Sequence, residues 1–579
     1  MKYDLITTVA KVKSKKKIYL GFWCDEVKSK IYSSKYIHPK FIVGFNSREK
    51  VSIENKIQKY EQKLYPKIRK ILDQYHKTEK HKKYYSYILG KWMRRYLSTM
   101  LNRYLTLEKF FKHNKLKINS INLETYKSIS PPLDSYEAIE YFDNNFLNDW
   151  IYNKALKFIN FDKNIKVNIK YTRNFNLQKI NKKNQSFLSS IYNNLNLFIQ
   201  KFLSKKDKKF FIGTYMPLHK EAILNLFFLQ FPKIWKKIKI NYKYKSDLNL
   251  RIELKKLLIK SFPKKQSREF TFLTENLFDL MPSSYLENFP CIKNTMLSSN
   301  WPQKPDLIFT SNNFDTDEAF KFYLAEQKEK NPMLKYIVGQ HGIGYNLRET
   351  KINKEIDLAD KVFVWGAYKK NKNQIPGFIL KSSKINYSSK GKVLIIFNAL
   401  NYRDHYWDKD YFFTKNFENK LYFLKLFDNK FLDNEIILRL GKEIKKFKFY
   451  EKEKIKKKFP NIQIDKNRSI QKSYLNSKLI VHFYQATPFL ETISNNIPSV
   501  MFIDDRQYNF SKKAKLLLKK LKKNNIIFND PKKMYKFIES NYCNIEKWWY
   551  SKKTQKIINT FSKNFCRKGS IKNIVKVIK

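Results

Sequence analysis

Acidic residues are scarce beside their counterparts: 51 Asp and Glu face 117 Lys and Arg, a formal balance of +66 over 579 residues. Such a balance is usual where a protein meets nucleic acid or an anionic membrane surface. A nucleic-acid binder gathers its charge in one patch, stripe or tail, with arginines that clamp phosphates or read bases. Here lysines run from Lys2 to Lys579 in short runs, arginine is sparse, and no zinc module, RNA-recognition signature or heptad-linked basic region is present. A solvated lysine-rich surface without a nucleic-acid partner is expected, with attraction to an anionic membrane surface as a by-product. Glycine is also rare, at 12 residues, while Asn, Ile, Phe and Tyr abound, the pattern of a codon drift toward A and T that accounts for part of the charge. Four cysteines, Cys24, Cys291, Cys543 and Cys566, form no C-x-x-C pair. That speaks against a zinc site or disulfide framework and for a reducing compartment. No stretch approaches the ~18 apolar residues of a membrane span, and the best candidate, 222–231, contains asparagine and glutamine. The first residues lack an apolar core of signal-peptide length, so a cytoplasmic protein, at most resting on the inner membrane face, is expected.

What is present is α/β patterning in a chain long enough for two domains. Short apolar runs at 17–23, 209–215 and 306–310, then at 336–338 and 361–365, read as strands ending in polar turns. Between them, 53–111 is rich in Lys, Tyr and Leu at helical spacing and nearly free of glycine and proline, which predicts a helical insertion over about 50–160. Trp92, Tyr96 and Tyr104 are placed by that spacing toward a core. A helix is predicted over 136–158. After a polar stretch containing Pro376-Gly377, a second series of strands begins, at 392–397, 436–440, 479–483 and 499–503. The order implies two Rossmann-like units, 1–375 and 376–579, facing a cleft.

The chemistry concentrates at strand ends. At Gly339-Gln340-His341-Gly342-Ile343-Gly344, glycines let backbone approach a phosphate, and a histidine can donate to it or take a proton from an acceptor. A plain glycine turn with a locally satisfied histidine fits the same residues. The spacing is not that of a dinucleotide fingerprint. In the second half, Thr487 is placed to cap a helix with Pro488 at its first position. Glu491 falls one turn deeper, where a carboxylate suits two ribose hydroxyls, although an acidic residue there also stabilises a helix without any ligand. Arg439, at the end of its strand, adds a cation suited to phosphate.

These residues sit in blocks, LITT (5–8), YLGFWC (19–24), ILGKWMRRYL (88–97), IGTYMP (212–217), GQHGIGY (339–345), DKVFVWGAY (360–368) and FLETISNNIPSVMF (489–502), followed by Trp548-Trp549. In that order they resemble a family of transferases of bacterial surface carbohydrate, described from O-antigen gene regions. The resemblance implies a GT-B-type fold, with a C-terminal domain for a nucleotide-activated sugar and an N-terminal domain for a glycan or lipid-linked acceptor. It places His341 and Gly342, with Gln340 and Gly344, near the donor phosphate or the reacting centre, and Thr487, Glu491 and Thr492 on the nucleotide. Asn495-Asn496 departs from a frequent E-x-x-x-x-G pattern of such enzymes.

The expected reaction is sugar transfer without a resident cofactor or metal, since no D-x-D stands at a strand exit and Asp404, Asp408 and Asp410 lie in an aromatic loop. Asp25, Glu26 and His341 are the candidate bases. Polyol-phosphate transfer by the same turn is the alternative enzyme reading, and nucleic-acid binding the alternative from charge.

Overall fold

The computed structural model describes the chain except residues 1, 9–15, 22–23, 25–42, 45–46, 173–205, 233–234, 236, 351–352, 382–384, 386, 398–412, 442–450, 506–507 and 579. Asp25, Glu26, Asp404, Asp408 and Asp410 therefore lie outside the described residues.

Parallel strands, apolar and buried on both faces, are the product of short Val/Ile/Leu/Phe runs separated by helical crossovers. Three parallel sheets form among the described residues, the second and third mostly of this kind and the first more polar and exposed. The first has the order β2-β1-β3-β4, from β1 (Lys2–Ile6), β2 (Lys17–Tyr19), β3 (Lys117–Tyr126) and β4 (Lys166–Thr172). The second runs in chain order through β5 (Lys209–Phe211), β6 (Leu307–Thr310), β7 (Lys335–Gly339), β8 (Lys361–Val364) and β9 (Gln374–Pro376). The third contains β10 (Lys392–Ile396), β11 (Ile436–Arg439), β12 (Gln463–Ile464), β13 (Ser477–His482), β14 (Ser499–Phe502) and β15 (Ile527–Phe528). Its order, β12-β11-β10-β13-β14-β15, all parallel, is the doubly wound 3-2-1-4-5-6 arrangement. The direction of winding reverses between β10 and β13, the position at which such sheets open a ligand crevice beyond their carboxyl ends.

The α/β class and the parallel strands agree with the sequence, but the front half divides its strands between two sheets. The stretch 50–160 is also more than a helical insertion, because β3 lies inside it and pairs with both β1 and β4. Its polar sequence, KINSINLETY, hides the strand. Those polar groups are satisfied in place: Ser120 donates to Asp4 at 2.7 Å, and the Glu124 N–H to Asp149 at 2.8 Å. Asp149 also accepts from Thr7 and Thr8 at 2.6 and 2.5 Å, which explains the LITT block as a sheet anchor.

Helices α1 (Ser47–His76) and α2 (Tyr84–His113) fill the crossover. Trp92, Tyr96 and Tyr104 are buried, as their spacing predicts, within one apolar cluster shared by both front sheets. Charges on this buried helix need partners. Lys91 pairs with Glu355 at 2.9 Å, Arg95 with Asp315 at 2.8 Å, and Arg94 with Glu61 and Asp357. The predicted 136–158 helix is two, α3 (Ser135–Asp143) and α4 (Asn145–Leu156); Asn144 ends one and caps the next, its side chain accepting from the Leu147 N–H at 3.0 Å.

Five further helices complete what positions the site: α5 (Leu218–Phe227), α6 (Lys354–Leu358), α7 (Thr487–Ser494) and the tail pair α8 (Lys552–Phe565) and α9 (Ile571–Ile578). The tail returns to the front half. The Ala367 N–H bonds the Lys563 carbonyl at 2.8 Å and the Arg567 N–H the Trp365 carbonyl at 2.9 Å, while Ile574, Val575 and Ile578 pack with Phe211, Leu224 and Phe309. A Cβ on Gly366 would stand 2.0 Å from the Asn564 carbonyl oxygen, so this crossing admits only glycine. Among the described residues no helix is long and apolar enough to cross a membrane.

Candidate active site at the His341 turn and helix α7

Strand β7 ends at Gly339, where a Cβ would meet Ser311 Oγ at 2.4 Å and Leu380 Cδ1 at 2.8 Å, so close packing fixes a glycine. Gln340 then turns the chain. Its N–H bonds the Phe363 carbonyl at 2.8 Å, its Oε1 accepts from the Trp365 N–H at 2.9 Å, and its Nε2 donates to the Gly342 carbonyl at 2.7 Å. Gln340 is buried with its amide spent on the turn, so it shapes the site in place of the ligand contact expected of it. A Cβ on Gly342 would meet nothing within 4 Å, and on Gly344 only Asn353 Nδ2 at 3.8 Å. Packing does not demand these two glycines; they leave backbone facing open space.

His341 heads a relay. Its Nδ1 lies 2.9 Å from the Tyr345 hydroxyl, which lies 3.1 Å from Glu355 Oε1; Lys91 holds the other carboxylate oxygen. A tyrosine hydroxyl has one proton, and a carboxylate can only accept. The hydrogen-bond network therefore assigns the Tyr345 proton to Glu355, the His341 proton to Nδ1, and a lone pair to Nε2. Burial is the largest influence on the imidazole and lowers its pKa, with Lys91 acting in the same direction and Glu355 and Asp315 opposing. The ring is thus neutral at neutral pH and suited to accept a proton. Phe314 and Tyr215 surround it, at ring-centroid distances of 5.7 and 6.3 Å.

At the third sheet, the cap of α7 is Ala486, with no side-chain hydrogen bond, so Thr487 is the first helical residue and Pro488 the second, one place later than the sequence suggested. Pro488 has no N–H and the Phe489 N–H bonds the Ala486 carbonyl at 3.1 Å, while the Thr487 hydroxyl is left without a partner among the described residues. Glu491 is buried, yet its carboxylate has no hydrogen-bond or ion-pair partner among them. Burial raises its pKa, opposed by the charge of Lys381. The hydroxyls of Tyr474 and Tyr484 feel the Glu491 charge, and that of Tyr474 is itself buried and unpartnered.

Two residues expected to contact the ligand have protein partners. Thr492 is wholly buried, with its hydroxyl 3.1 Å from His482 Nε2 and 3.0 Å from the Phe489 carbonyl. Arg439 pairs through Nη1 with Asp465 and donates from the same nitrogen to the Asn467 carbonyl at 3.0 Å and Ser473 Oγ at 3.1 Å, and its charge reaches the hydroxyls of Tyr474 and Tyr484.

The turn and α7 are joined by residues no motif singled out. Arg348 donates from Nε to Gln485 Oε1 at 3.0 Å and from Nη2 to the Gln485 carbonyl at 3.1 Å, and stacks 4.2 Å from the Tyr508 ring. The Glu349 N–H bonds Asn509 at 2.7 Å, and Ile343 and Leu347 share an apolar cluster with Phe489, Leu490 and Ile493. Tyr345 and Arg348 stood beside the recognised turn; Lys91, Glu355 and Gln485 carried no sequence signal, because their partners are remote in the chain. Among the described residues no group of His, Cys, Asp or Glu could hold a metal ion.

The sequence profile of the LIC12162 family transferase matches residues 4–577. Among solved structures, the chain is similar to a UDP-N-acetylglucosamine 2-epimerase at 12% identity, covering 61% of this chain and 91% of that one with a TM-score of 0.30. A UDP-glucose:anthocyanidin 3-O-glucosyltransferase in complex with UDP shows 10% identity over 64% and 95% of the two chains, with a TM-score of 0.31. The UDP-GlcNAc 2-epimerase of Neisseria meningitidis bound to UDP-GlcNAc shows 13% identity over 84% and 96%, with a TM-score of 0.21. Curated proteins gave no match.

Proposed function

Because the chain belongs to the LIC12162 transferase family, matched over residues 4–577, we propose that it moves a sugar from a nucleotide-activated donor to a cell-surface glycan or lipid-linked acceptor. The observation that carries this reading is the largely buried Glu491, whose carboxylate has no hydrogen-bond or ion-pair partner among the described residues, one turn into the helix that follows β13 at the reversal of a doubly wound sheet. A buried charge without partners is costly. Two ribose hydroxyls donating to it would remove the cost, while the Thr487 N–H and hydroxyl at the start of the helix donate to the phosphate end.

In the reaction, the acceptor oxygen bonds to the anomeric carbon as that carbon's bond to the donor phosphate breaks. The acceptor proton passes to His341 Nε2, and the electron pair leaves with the nucleotide. The imidazolium so formed is steadied through Tyr345 by Glu355, whose second oxygen is held by Lys91. Asp25 and Glu26 remain alternative bases, and no resident cofactor is assigned.

A thermal-shift screen across CMP, UDP, GDP and dTDP and their sugars tests the donor side, since a ligand at 100 times its dissociation constant stabilises the fold by ~2.7 kcal/mol. Product analysis tests the chemistry. A released nucleotide with a phosphate-free glycosidic product supports sugar transfer; phosphate retained in the new linkage would instead assign polyol-phosphate transfer.

A further inference from the structure

Helix α5 leaves the exit of β5 with its polar side inward. Glu221, Leu224 and Asn225 are buried, whereas Ile223, Leu226 and Phe227, at i, i+3 and i+4, are exposed. The turn that ends the helix continues the apolar face. Leu229 is 98% exposed and adopts φ +56°, a left-handed position where glycine or asparagine is the usual residue. Phe231 follows, 51% exposed. Five large apolar side chains are thus presented to water within one helix and its cap, with no contact among the described residues that accounts for them.

Positive charge borders this face. Gln230, between Leu229 and Phe231, accepts from the N–H groups of Lys208 and Lys209 at 3.1 and 2.7 Å and donates back to the Lys209 carbonyl at 2.8 Å. That clamp holds Lys208, exposed and with no acidic partner among the described residues, against the leucine turn; Lys206 is exposed just before it. The other end of the face reaches the candidate site, because Tyr215, 41% exposed at the start of the same loop, has its ring 6.3 Å from that of His341.

We propose that α5 and its Leu229–Phe231 cap are a docking face for an anionic lipid bilayer, with Ile223, Leu226, Phe227, Leu229 and Phe231 entering the acyl boundary and Lys206 and Lys208 meeting headgroup phosphates. Apolar side chains rimmed by lysines match an interface whose interior is hydrocarbon and whose surface is negative. A second copy of this chain, itself carrying +66, is repelled by the same lysines. The inference stands on this surface and does not depend on the nucleotide site. Its orientation alone draws on the proposed function, since a docked α5 turns the His341 side toward the membrane.

The test is co-sedimentation of the full chain with vesicles of 3:1 phosphatidylcholine to phosphatidylglycerol and of phosphatidylcholine alone, at low salt and at roughly 0.5 M, where surface charge is largely screened. The wild type is expected to bind the anionic vesicles at both salt concentrations. The L226S/F227S/L229G variant, altered only at exposed positions and checked for an unchanged melting temperature, should bind at least tenfold more weakly at high salt, and K206S/K208S should lose its preference for phosphatidylglycerol. Equal high-salt binding by the triple variant overturns the proposal. So does a wild type that binds neither vesicle, or light scattering that shows a dimer abolished by the triple variant. Nucleotide binding measured on the same preparations reports on the other site, so either reading can fail without the other.

Discussion

Arg348 and Gln485 meet across the two halves of the chain, with the guanidinium donating to both the side-chain and main-chain oxygens of the glutamine at 3.0 and 3.1 Å. One residue closes the turn that holds His341 and the other precedes the helix that holds Glu491, so this bidentate contact ties the two segments together beside the Glu349–Asn509 bond and the packing of Ile343 and Leu347.

Replacing Arg348 with alanine removes that contact and strands the buried Gln485 amide. A loss of about 2 kcal/mol is expected from hydrogen bonds to a charged group. The KM for the donor should rise with it, because α7 is no longer held against the turn. Denaturant melts and steady-state kinetics read the two effects; an unchanged KM would detach the contact from the site.

His341→Ala should lower kcat by a factor on the order of 10² to 10⁴, the usual worth of a positioned general base, with little change in melting temperature. The imidazole pKa is lowered, and the neutral form is the active one. Activity should therefore be flat above the ordinary histidine range and fall about tenfold per pH unit only below it. Tyr345→Phe frees Nδ1 from its fixed partner and should reduce kcat more than it alters KM. An acid limb unmoved by the Tyr345 change would separate His341 from the relay.

Glu491→Gln keeps the shape and removes the buried charge. Stability should hold or increase, while donor affinity falls about tenfold, or 1.4 kcal/mol. Arg439→Gln is the contrasting variant: its ion pair with Asp465 is structural, so stability should drop while donor affinity stays near wild type. Calorimetric titration with the nucleotide found by the thermal screen checks both.

Glu221 gives the fold a dependence on pH. Burial pushes its carboxyl up to about 7 from 4.5, against the Thr214 hydroxyl that favours the charged form. Between those values the folded chain keeps a proton that the unfolded chain has released, so stability is lost as pH rises through this window. The loss is on the order of 3 kcal/mol. Glu221→Gln should flatten this part of the stability profile, as read by urea melts from pH 4 to 8.

The parts of this account legible in sequence are those written in local patterns. Apolar runs gave β10, β11, β13 and β14 of the third sheet but not its short edge strands β12 and β15, the spacing of Trp92, Tyr96 and Tyr104 gave a buried helix, and glycines around His341 marked a turn at a strand end. Strand β3 was not legible, because its Asn119 and Ser120 are satisfied by Asp4 and its Glu124 by Lys170, which lie elsewhere in the chain. The same holds for the relay: His341 and Tyr345 are four residues apart, but Lys91 reaches Glu355 across 264 positions. The partners of Thr492 and of Arg439 Nη1, His482 and Asp465, likewise lie elsewhere in the chain.

The most direct measurement is a diffraction structure of the protein with the nucleotide that stabilises it. The account predicts ribose hydroxyls on Glu491, phosphate over the first turn of α7, and the anomeric end within reach of His341 Nε2. A nucleotide bound away from α7, with the Glu491 carboxylate left unpartnered, would contradict it.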